Sequence, residues 1–278
     1  MTRVRWVVAA AAAALAVAAP AAMADSGTTI YRSTVLPLPG NLPSAAFQAT
    51  QLSEFGDEVT FAHRARRLRT VTVTMSSWGC QQGAWFSGDC FTHHDATFAW
   101  PITLNLYNAS TTAQSTTPVQ PGTPIASVTK TFRIPFRPSA SPKCTGADVG
   151  KWFRNGQCFN GFANNITFNF SSLHLKLPNN IVWGIAFNTS NYGPEPIGTQ
   201  PCDSTAAGCP YDSLNLALAP SVKVGSKPFP DTVFQNTITP GNLCDGGTVA
   251  LTGVFNLDSP TNACWAGYVP AARFVATS

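Results

Sequence analysis

Apolar and polar residues alternate with a period of two in several stretches of this chain. In 70–75, three threonines alternate with Val, Val and Met, and similar alternation occurs in 102–106, 132–136 and 166–170. This period places every second side chain on the same face of an extended strand. Residues 181–187 are more uniformly apolar, which indicates a central strand. The pattern therefore predicts a series of half-buried strands.

The segments between these runs are rich in turn-forming residues. The chain contains 21 Gly and 22 Pro, which leaves little room for long helices, and only 44–55 has a weak helical pattern. Residues 214–218 and 267–275 are weaker strand candidates. Pro135 lies inside a predicted strand and indicates an edge strand or a bulge there. We predict an all-β fold, a two-sheet antiparallel β-sandwich that is jelly-roll-like and has disulfide-closed loops.

The N-terminus has the three parts of a secretory signal peptide. Two arginines precede an uncharged, Ala- and Val-rich run at 6–19, and 22–24 has the small-x-small pattern that signal peptidase cleaves. A membrane anchor is the alternative, but this run is shorter than the roughly 20 strongly apolar residues that span a bilayer. We predict a signal peptide at 1–24 and a single β-sandwich domain at 25–278, secreted and without a membrane attachment.

Eight cysteines follow the predicted cleavage point, an even number that is typical of an exported, disulfide-bonded chain. Eight cysteines allow 105 pairings. The simplest pairing joins sequence neighbours, because each bridge then closes a short loop rich in Gly, Asn, Asp, Pro or Ser. It consists of Cys80–Cys90, Cys144–Cys158, Cys202–Cys209 and Cys244–Cys264.

Charge and composition exclude several classes of protein. Only 11% of the residues are charged and 44% are hydrophobic, which excludes a disordered, solvating chain. The formal net charge is +4, and loss of the two arginines of the signal peptide lowers it to +2. A chain so close to neutral is not expected to bind nucleic acid.

The sequence contains no motif of a common hydrolase. Neither a Gly-x-Ser-x-Gly elbow nor a His-Glu-x-x-His pair is present, so no catalytic residue is assigned. Glu54, Asp57 and Glu58 form the densest carboxylate group, which we expect in a solvated turn beside Gly56. Alternatively, Asp57 and Glu58 bind Ca²⁺, the one cofactor that the sequence suggests. A hydrolase would require convergence of carboxylates such as Asp57, Glu58, Asp95 and Asp212.

Two further clusters are expected to be structural. His93-His94-Asp95 follows Cys90 and could form a metal site, but a cysteine ligand would have to stay reduced in an oxidising compartment. The segment 63–69 contains four arginines, which could bind a polyanion. We interpret the first cluster as a polar loop and the second as a solvated connection between strands.

One segment resembles a known group of proteins. Residues 53–62, S-E-F-G-D-E-V-T-F-A, precede the strand 68–74, L-R-T-V-T-V-T, and resemble uncharacterised secreted bacterial β-sandwich proteins that carry E-F-G-D-x-V-T-x-A. Residues 131–138 and 209–215 resemble the same group. The resemblance implies the β-sandwich fold and export, and it implies no catalytic or binding residue.

Aromatic residues cluster near the predicted disulfide loops and suggest a function. Exposed rings could stack on sugars, or the same rings could cover the disulfides and close the core. On the first alternative, the protein is secreted, non-enzymatic and binds a carbohydrate or another cell-wall or cell-surface polymer. The second function considered is a structural or protein-interaction component of the envelope or extracellular matrix. The candidate binding residues are Trp78, Trp85, Trp152 and Trp265.

Overall fold

The computed structural model describes residues 27–109, 121–199, 209–228, 233–237, 256–257 and 268–278. Within these ranges the chain forms antiparallel β-strands joined by loops and short 3-10 turns, and it has no α-helix. Accordingly, none of the described segments is a helix with the length and apolarity needed to cross a bilayer. The predicted signal peptide lies outside the described residues.

The first sheet is built around one long strand, β4. Its strand order is β1-β15-β4-β11-β14, with β2 paired to β11 and β9 paired to β4. The strands of this sheet are β1 (Thr28–Arg32), β2 (Ser44–Ala46), β4 (Arg67–Ser77), β9 (Phe162–Asn169), β11 (Leu214–Ala219), β14 (Val269–Pro270) and β15 (Ala272–Thr277).

The second sheet has the order β13-β12-β3-β10-β5-β6. A separate two-stranded hairpin consists of β7 (Trp152–Arg154) and β8 (Gln157–Phe159). The strands of the second sheet are β3 (Leu52–Thr60), β5 (Thr97–Asn108), β6 (Pro124–Pro135), β10 (Asn180–Ala186), β12 (Phe234–Thr237) and β13 (Asn256–Leu257).

The two sheets pack face to face over an apolar core. In β4 Val71, Val73 and Met75 are fully buried in the core, as the alternation predicts, while the end of the strand is buried on both faces. Rings from the two sheets meet in the core: the centroids of Phe132 and Phe168 are 4.9 Å apart and pack edge to face. The all-β, two-sheet antiparallel prediction is confirmed, and the jelly-roll-like connectivity remains a prediction.

The strand predictions fit the observed sheets. Strand β10 lies between β3 and β5, as predicted for a central strand, and β6 is the edge strand that ends at Pro135. The weak helical pattern at 44–55 does not form a helix: β2 and the start of β3 occupy it instead.

Two of the predicted disulfides are confirmed. Cys80–Cys90 and Cys144–Cys158 have Cα atoms 5.4 and 5.9 Å apart, within the usual range for disulfides. Cys209 is also disulfide-bonded. The other three cysteines, including the predicted partner of Cys209, lie outside the described residues.

Candidate functional site

A cleft of about 550 Å³ lies beside β2, next to the loop that follows β4. Its volume is in the range of small-molecule binding sites, roughly 300–1,000 Å³. Two of the predicted tryptophans contribute to it, and most of its other lining residues are small or uncharged. The lining residues are Asn41, Leu42, Pro43, Ser44, Ala46, Gln48, Ala49, Trp78, Trp85, Asp212, Ser213 and Asn215.

Trp78 is fixed at the end of β4 by hydrogen bonds at both its backbone and its ring. Its backbone N–H donates to the carbonyl of Ser213 (2.8 Å). Its indole Nε1 donates to Ser76 Oγ (3.1 Å), and that hydroxyl donates to Asn41 Oδ1 (2.8 Å). A Cβ at Gly161 would lie 2.4 Å from Trp78 Nε1, so a glycine is needed for this close approach. The orientation of the Trp78 ring is therefore determined by its surroundings.

Trp85 lies beside Trp78 and extends the aromatic part of the cleft lining. It meets Trp78 edge to face, with ring centroids 4.7 Å apart and an interplanar angle of 82°. Phe86 continues the series, with its centroid 5.7 Å from that of Trp85, and is 52% exposed. The three rings form a continuous aromatic cluster, of which Trp78 and Trp85 line the cleft.

The loop that carries Trp85 is held by the Cys80–Cys90 disulfide and by Asp89. The Asp89 carboxylate accepts hydrogen bonds from the Ser87 hydroxyl and from the backbone N–H of Ala84. These hydrogen bonds keep the pKa of Asp89 below its usual value. The disulfide and these hydrogen bonds stabilise the conformation of the loop from within it.

The rest of the lining combines apolar side chains with amides, hydroxyls and one carboxylate. Asn215 Nδ2 donates to Ser44 Oγ (3.0 Å). Asp212 is buried, and its two oxygens accept from the backbone N–H and the hydroxyl of Ser190, both at 2.7 Å. The described lining residues include no Lys, Arg or His. The amide and hydroxyl groups of the lining are suited to hydrogen bonding with neutral polar groups.

A second pocket of about 330 Å³ lies on the other side of the 3-10 turn Pro210–Ser213. Trp100 and Tyr211 line it and stack nearly parallel, with centroids 4.0 Å apart and planes 12° apart. Trp100 Nε1 donates to the carbonyl of Asn188 (3.0 Å). The turn thus contributes lining residues to two adjacent aromatic pockets.

Two of the four predicted tryptophans are not part of the cleft. Trp152 is only 3% exposed, and its Nε1 donates to the carbonyl of Gly161 (2.6 Å). Because its ring packs against Phe159 and Phe162, it is not accessible for stacking on a ligand, and we remove it from the candidate site. Trp265 lies outside the described residues.

The predicted placement of the carboxylate group in a turn beside Gly56 is wrong, because this segment is the central part of β3. Successive side chains of a strand point to opposite faces. Asp57 therefore faces the core, where its Oδ2 lies 3.3 Å from Lys227 Nζ, while Glu58 faces the other way and accepts from Asn180 Nδ2 (3.0 Å). Asp57 and Glu58 cannot ligate one Ca²⁺ ion in this arrangement, and the described residues contain no group of three or more metal-ligating side chains.

Burial shifts the ionisation of the β3 carboxyls. It raises the pKa of Asp57 to about 7, although the Lys227 ammonium opposes the shift. Burial also raises the pKa of Glu54 to about 7, partly offset by hydrogen bonds from Asn105 Nδ2 (2.8 Å) and Tyr107 Oη (3.1 Å). The pKa of Glu58 is raised by burial as well.

The carboxylates considered for a hydrolase lie in different surroundings. Asp57 is in the core, Glu58 is on the opposite face of the same strand, and Asp95 is on the surface, paired with His94 (2.8 Å). Of the four, Asp212 alone lines the cleft, and both of its oxygens accept hydrogen bonds from Ser190. This arrangement gives no support to a two-carboxylate mechanism among these residues.

Only the first part of the basic segment is a connection between strands, because Arg67 and Arg69 lie in β4. The histidine cluster is in a loop, as expected. Residues 61–66 connect β3 to β4, and Arg66 donates to the carbonyls of His63 (2.7 Å) and Ala65 (2.8 Å). The ring of His94 is almost fully exposed. Cys90, the proposed metal ligand near it, is in a disulfide.

Comparisons with protein-family models, curated proteins and solved structures find no match to this chain. The sequence predicts Trp78 and Trp85 as candidates but not the other lining residues, which come from 41–49 and 212–215. Their side chains are amides, hydroxyls, small or aliphatic groups and one carboxylate, with no distinctive spacing. They meet the tryptophans only because β2 and β11 pair beside the end of β4.

Proposed function

We propose that this protein is an extracellular, non-enzymatic protein that binds neutral carbohydrate in the Trp78–Trp85 cleft. The observation that carries the proposal is the presence, in one cleft, of two fixed, half-exposed indole rings and several amide and hydroxyl side chains. This combination matches the chemistry of a sugar ring, which has apolar C–H faces and a rim of hydroxyl groups. Indoles contact the faces, and short polar side chains hydrogen-bond to the rim.

The charge of the cleft favours a neutral ligand over an acidic polymer. No basic residue is among its described lining residues, and the one charged residue, Asp212, is an acid. An anionic ligand would bring its charge towards this carboxylate without a compensating cation. We therefore propose a neutral glycan rather than a phosphate- or sulfate-bearing polymer.

The extracellular setting is supported by the disulfides. Cys80–Cys90, Cys144–Cys158 and the bonded Cys209 are typical of a chain that matures in an oxidising compartment. The predicted signal peptide agrees with this setting.

A glycan array tests the proposal. We expect the purified protein to bind neutral oligosaccharides more strongly than sulfated or uronic ones. Trp78→Ala and Trp85→Ala should each abolish this signal. Phe91→Ala is the matched control, because Phe91 is 44% exposed in the same disulfide region but does not line the cleft. Equal binding by wild type and both tryptophan variants would refute the proposal.

A protein-interaction role in the cell envelope is a second candidate. Phe86 and Phe91 are exposed on the loop that contains Trp85, and exposed aromatic residues are common in protein interfaces. This function predicts a specific partner in cross-linking pull-downs, lost in Phe86→Ala and Phe91→Ala, with no signal on the glycan array.

A further inference from the structure

A lysine and an aspartate meet in the apolar core, far from the cleft. Asp57 lies on the core-facing side of β3 between the fully buried Phe55 and Val59, and directly opposite Trp183 of β10. The side chains of Lys227 and Asp57 are only 7% and 2% exposed. Two oppositely charged groups are thus enclosed among aromatic and aliphatic side chains.

Lys227 is brought to this position by backbone pairing. Its neighbour Ser226 exchanges two hydrogen bonds with Thr60 at the end of β3, each 2.9 Å long. The segment containing Lys227 therefore begins alongside the strand that carries Asp57, and its amine is held near the carboxyl group.

The two oxygens of Asp57 have different surroundings. Oδ1 accepts a hydrogen bond from the backbone N–H of Glu58 (2.8 Å). Oδ2 lies 3.3 Å from Lys227 Nζ. In the described part of the chain neither Oδ2 nor Nζ makes a hydrogen bond of acceptable geometry, despite this short distance. The amine is close to the carboxyl group without the alignment that stabilises an ordinary buried ion pair.

The surroundings of this pair offer little compensation for the hydration that it loses on burial. A buried ion pair is costly unless further hydrogen bonds compensate for lost hydration, and this pair has only the one from Glu58 N–H. Burial raises the pKa of Asp57 to about 7, which populates the neutral acid near neutral pH. The lone pair of an amine is a nucleophile towards the carbon of a neutral carboxylic acid.

We propose that Lys227 and Asp57 condense to form an intramolecular amide cross-link. The Nζ lone pair attacks Cγ of Asp57, and the charge that develops on Oδ1 is stabilised by the Glu58 backbone N–H. The Cγ–Oδ2 bond then breaks, and Oδ2 leaves as water with the acid proton and one proton from Nζ. The step needs no oxidant, reductant or other reactant, because one C–N bond replaces one C–O bond. The product joins β3 to the segment containing Lys227.

The cross-link removes the cost of two buried charges and connects positions far apart in the sequence. It also constrains the unfolded chain, in the way that a disulfide does. It is independent of the cleft, so it does not depend on the proposed carbohydrate binding.

Intact-mass spectrometry of the secreted, fully reduced protein tests this proposal. We expect a mass lower than the mature sequence by about 18 Da, that of one water, and a branched peptide containing both Lys227 and Asp57 after digestion. An unshifted mass, or a loss of water that maps elsewhere, would overturn the proposal.

Two variants and one labelling experiment make the result specific. Lys227→Arg keeps the positive charge but has no amine that can lose its proton near neutral pH, so it should have the full sequence mass. Lys223→Arg changes an exposed lysine in the same segment and should keep the loss of water. If Lys227→Arg does not fold, acetylation of the free amines of the unfolded wild type shows whether Lys227 is cross-linked. Modification of Lys227 would contradict the cross-link, and its protection is expected.

Discussion

The indole N–H of Trp78 donates to the hydroxyl of Ser76, which in turn donates to Asn41 Oδ1, at 3.1 and 2.8 Å. This chain of hydrogen bonds links the aromatic side of the cleft to its polar side through a buried residue of β4. The ring of Trp78 therefore has one preferred orientation before any ligand arrives, which reduces the entropy cost of binding.

Removal of the Ser76 hydroxyl should destabilise the protein and weaken glycan binding. Ser76→Ala leaves Trp78 Nε1 and Asn41 Oδ1 without this partner, and an unsatisfied buried polar group costs about 1–3 kcal/mol. Ser77→Ala is the matched control, because in the described part of the chain the buried Ser77 hydroxyl makes no hydrogen bond. In urea unfolding, the free energy of unfolding should be lower for Ser76→Ala than for wild type and unchanged for Ser77→Ala. Equal effects would contradict a role for the Ser76 hydroxyl.

The Cys80–Cys90 disulfide should matter for both stability and binding. Replacing both cysteines by alanine should lower the free energy of unfolding by about 2–3 kcal/mol, because the unfolded chain loses a constraint. The Trp85 loop should also become less ordered, with binding weakened by about tenfold, or 1.4 kcal/mol. The Cys144→Ala/Cys158→Ala protein should lose similar stability but keep its affinity at a temperature where it is folded. Wild-type affinity in both double variants would contradict a role of the Cys80–Cys90 disulfide in ligand binding.

Glu54 should make the protein less stable as the pH rises from about 4.5 to about 7. Its pKa is raised from 4.5 to about 7 in the folded state, so in this window the folded protein holds a proton that the unfolded chain has lost. Stability contributed by such a group is largest below its unfolded pKa and falls as the pH rises through the window.

Comparison of wild type with Glu54→Gln across this pH range isolates the effect. The Gln variant removes the titration and keeps an oxygen acceptor for Asn105 and Tyr107. The stability of wild type relative to Glu54→Gln should therefore decline from pH 4.5 to 7. The exposed Glu195→Gln is the control and should not change the slope. A relative stability that is constant or increases with pH would show that Glu54 is not protonated by burial.

The strands and the first two disulfides could be predicted from the sequence because both depend on local patterns. The period of two in β4 identifies its buried face, and Cys80–Cys90 and Cys144–Cys158 each close a short loop. The residues that form each of these patterns lie within about a dozen positions of one another. The fold class can therefore be predicted without knowledge of tertiary contacts.

The carboxylate segment could not be predicted in this way. A glycine between acidic residues suggests a turn, but Gly56 is in a central strand opposite Gly184, and a Cβ there would lie 1.8 Å from the Trp183 carbonyl oxygen. The position of Asp57 in the core makes sense only with Lys227, which is distant in the sequence. The polar lining residues of the cleft could not be predicted for the same reason, since tertiary pairing brings them together.

Titration calorimetry with the neutral oligosaccharide that binds best on the array tests carbohydrate binding in the cleft most directly. Wild type should give a saturable heat with one site per chain, Phe91→Ala should match it, and the Trp78→Ala/Trp85→Ala protein should give no measurable binding while still folded by circular dichroism. A folded double variant that binds the sugar with wild-type affinity would contradict the assignment of the cleft as the binding site.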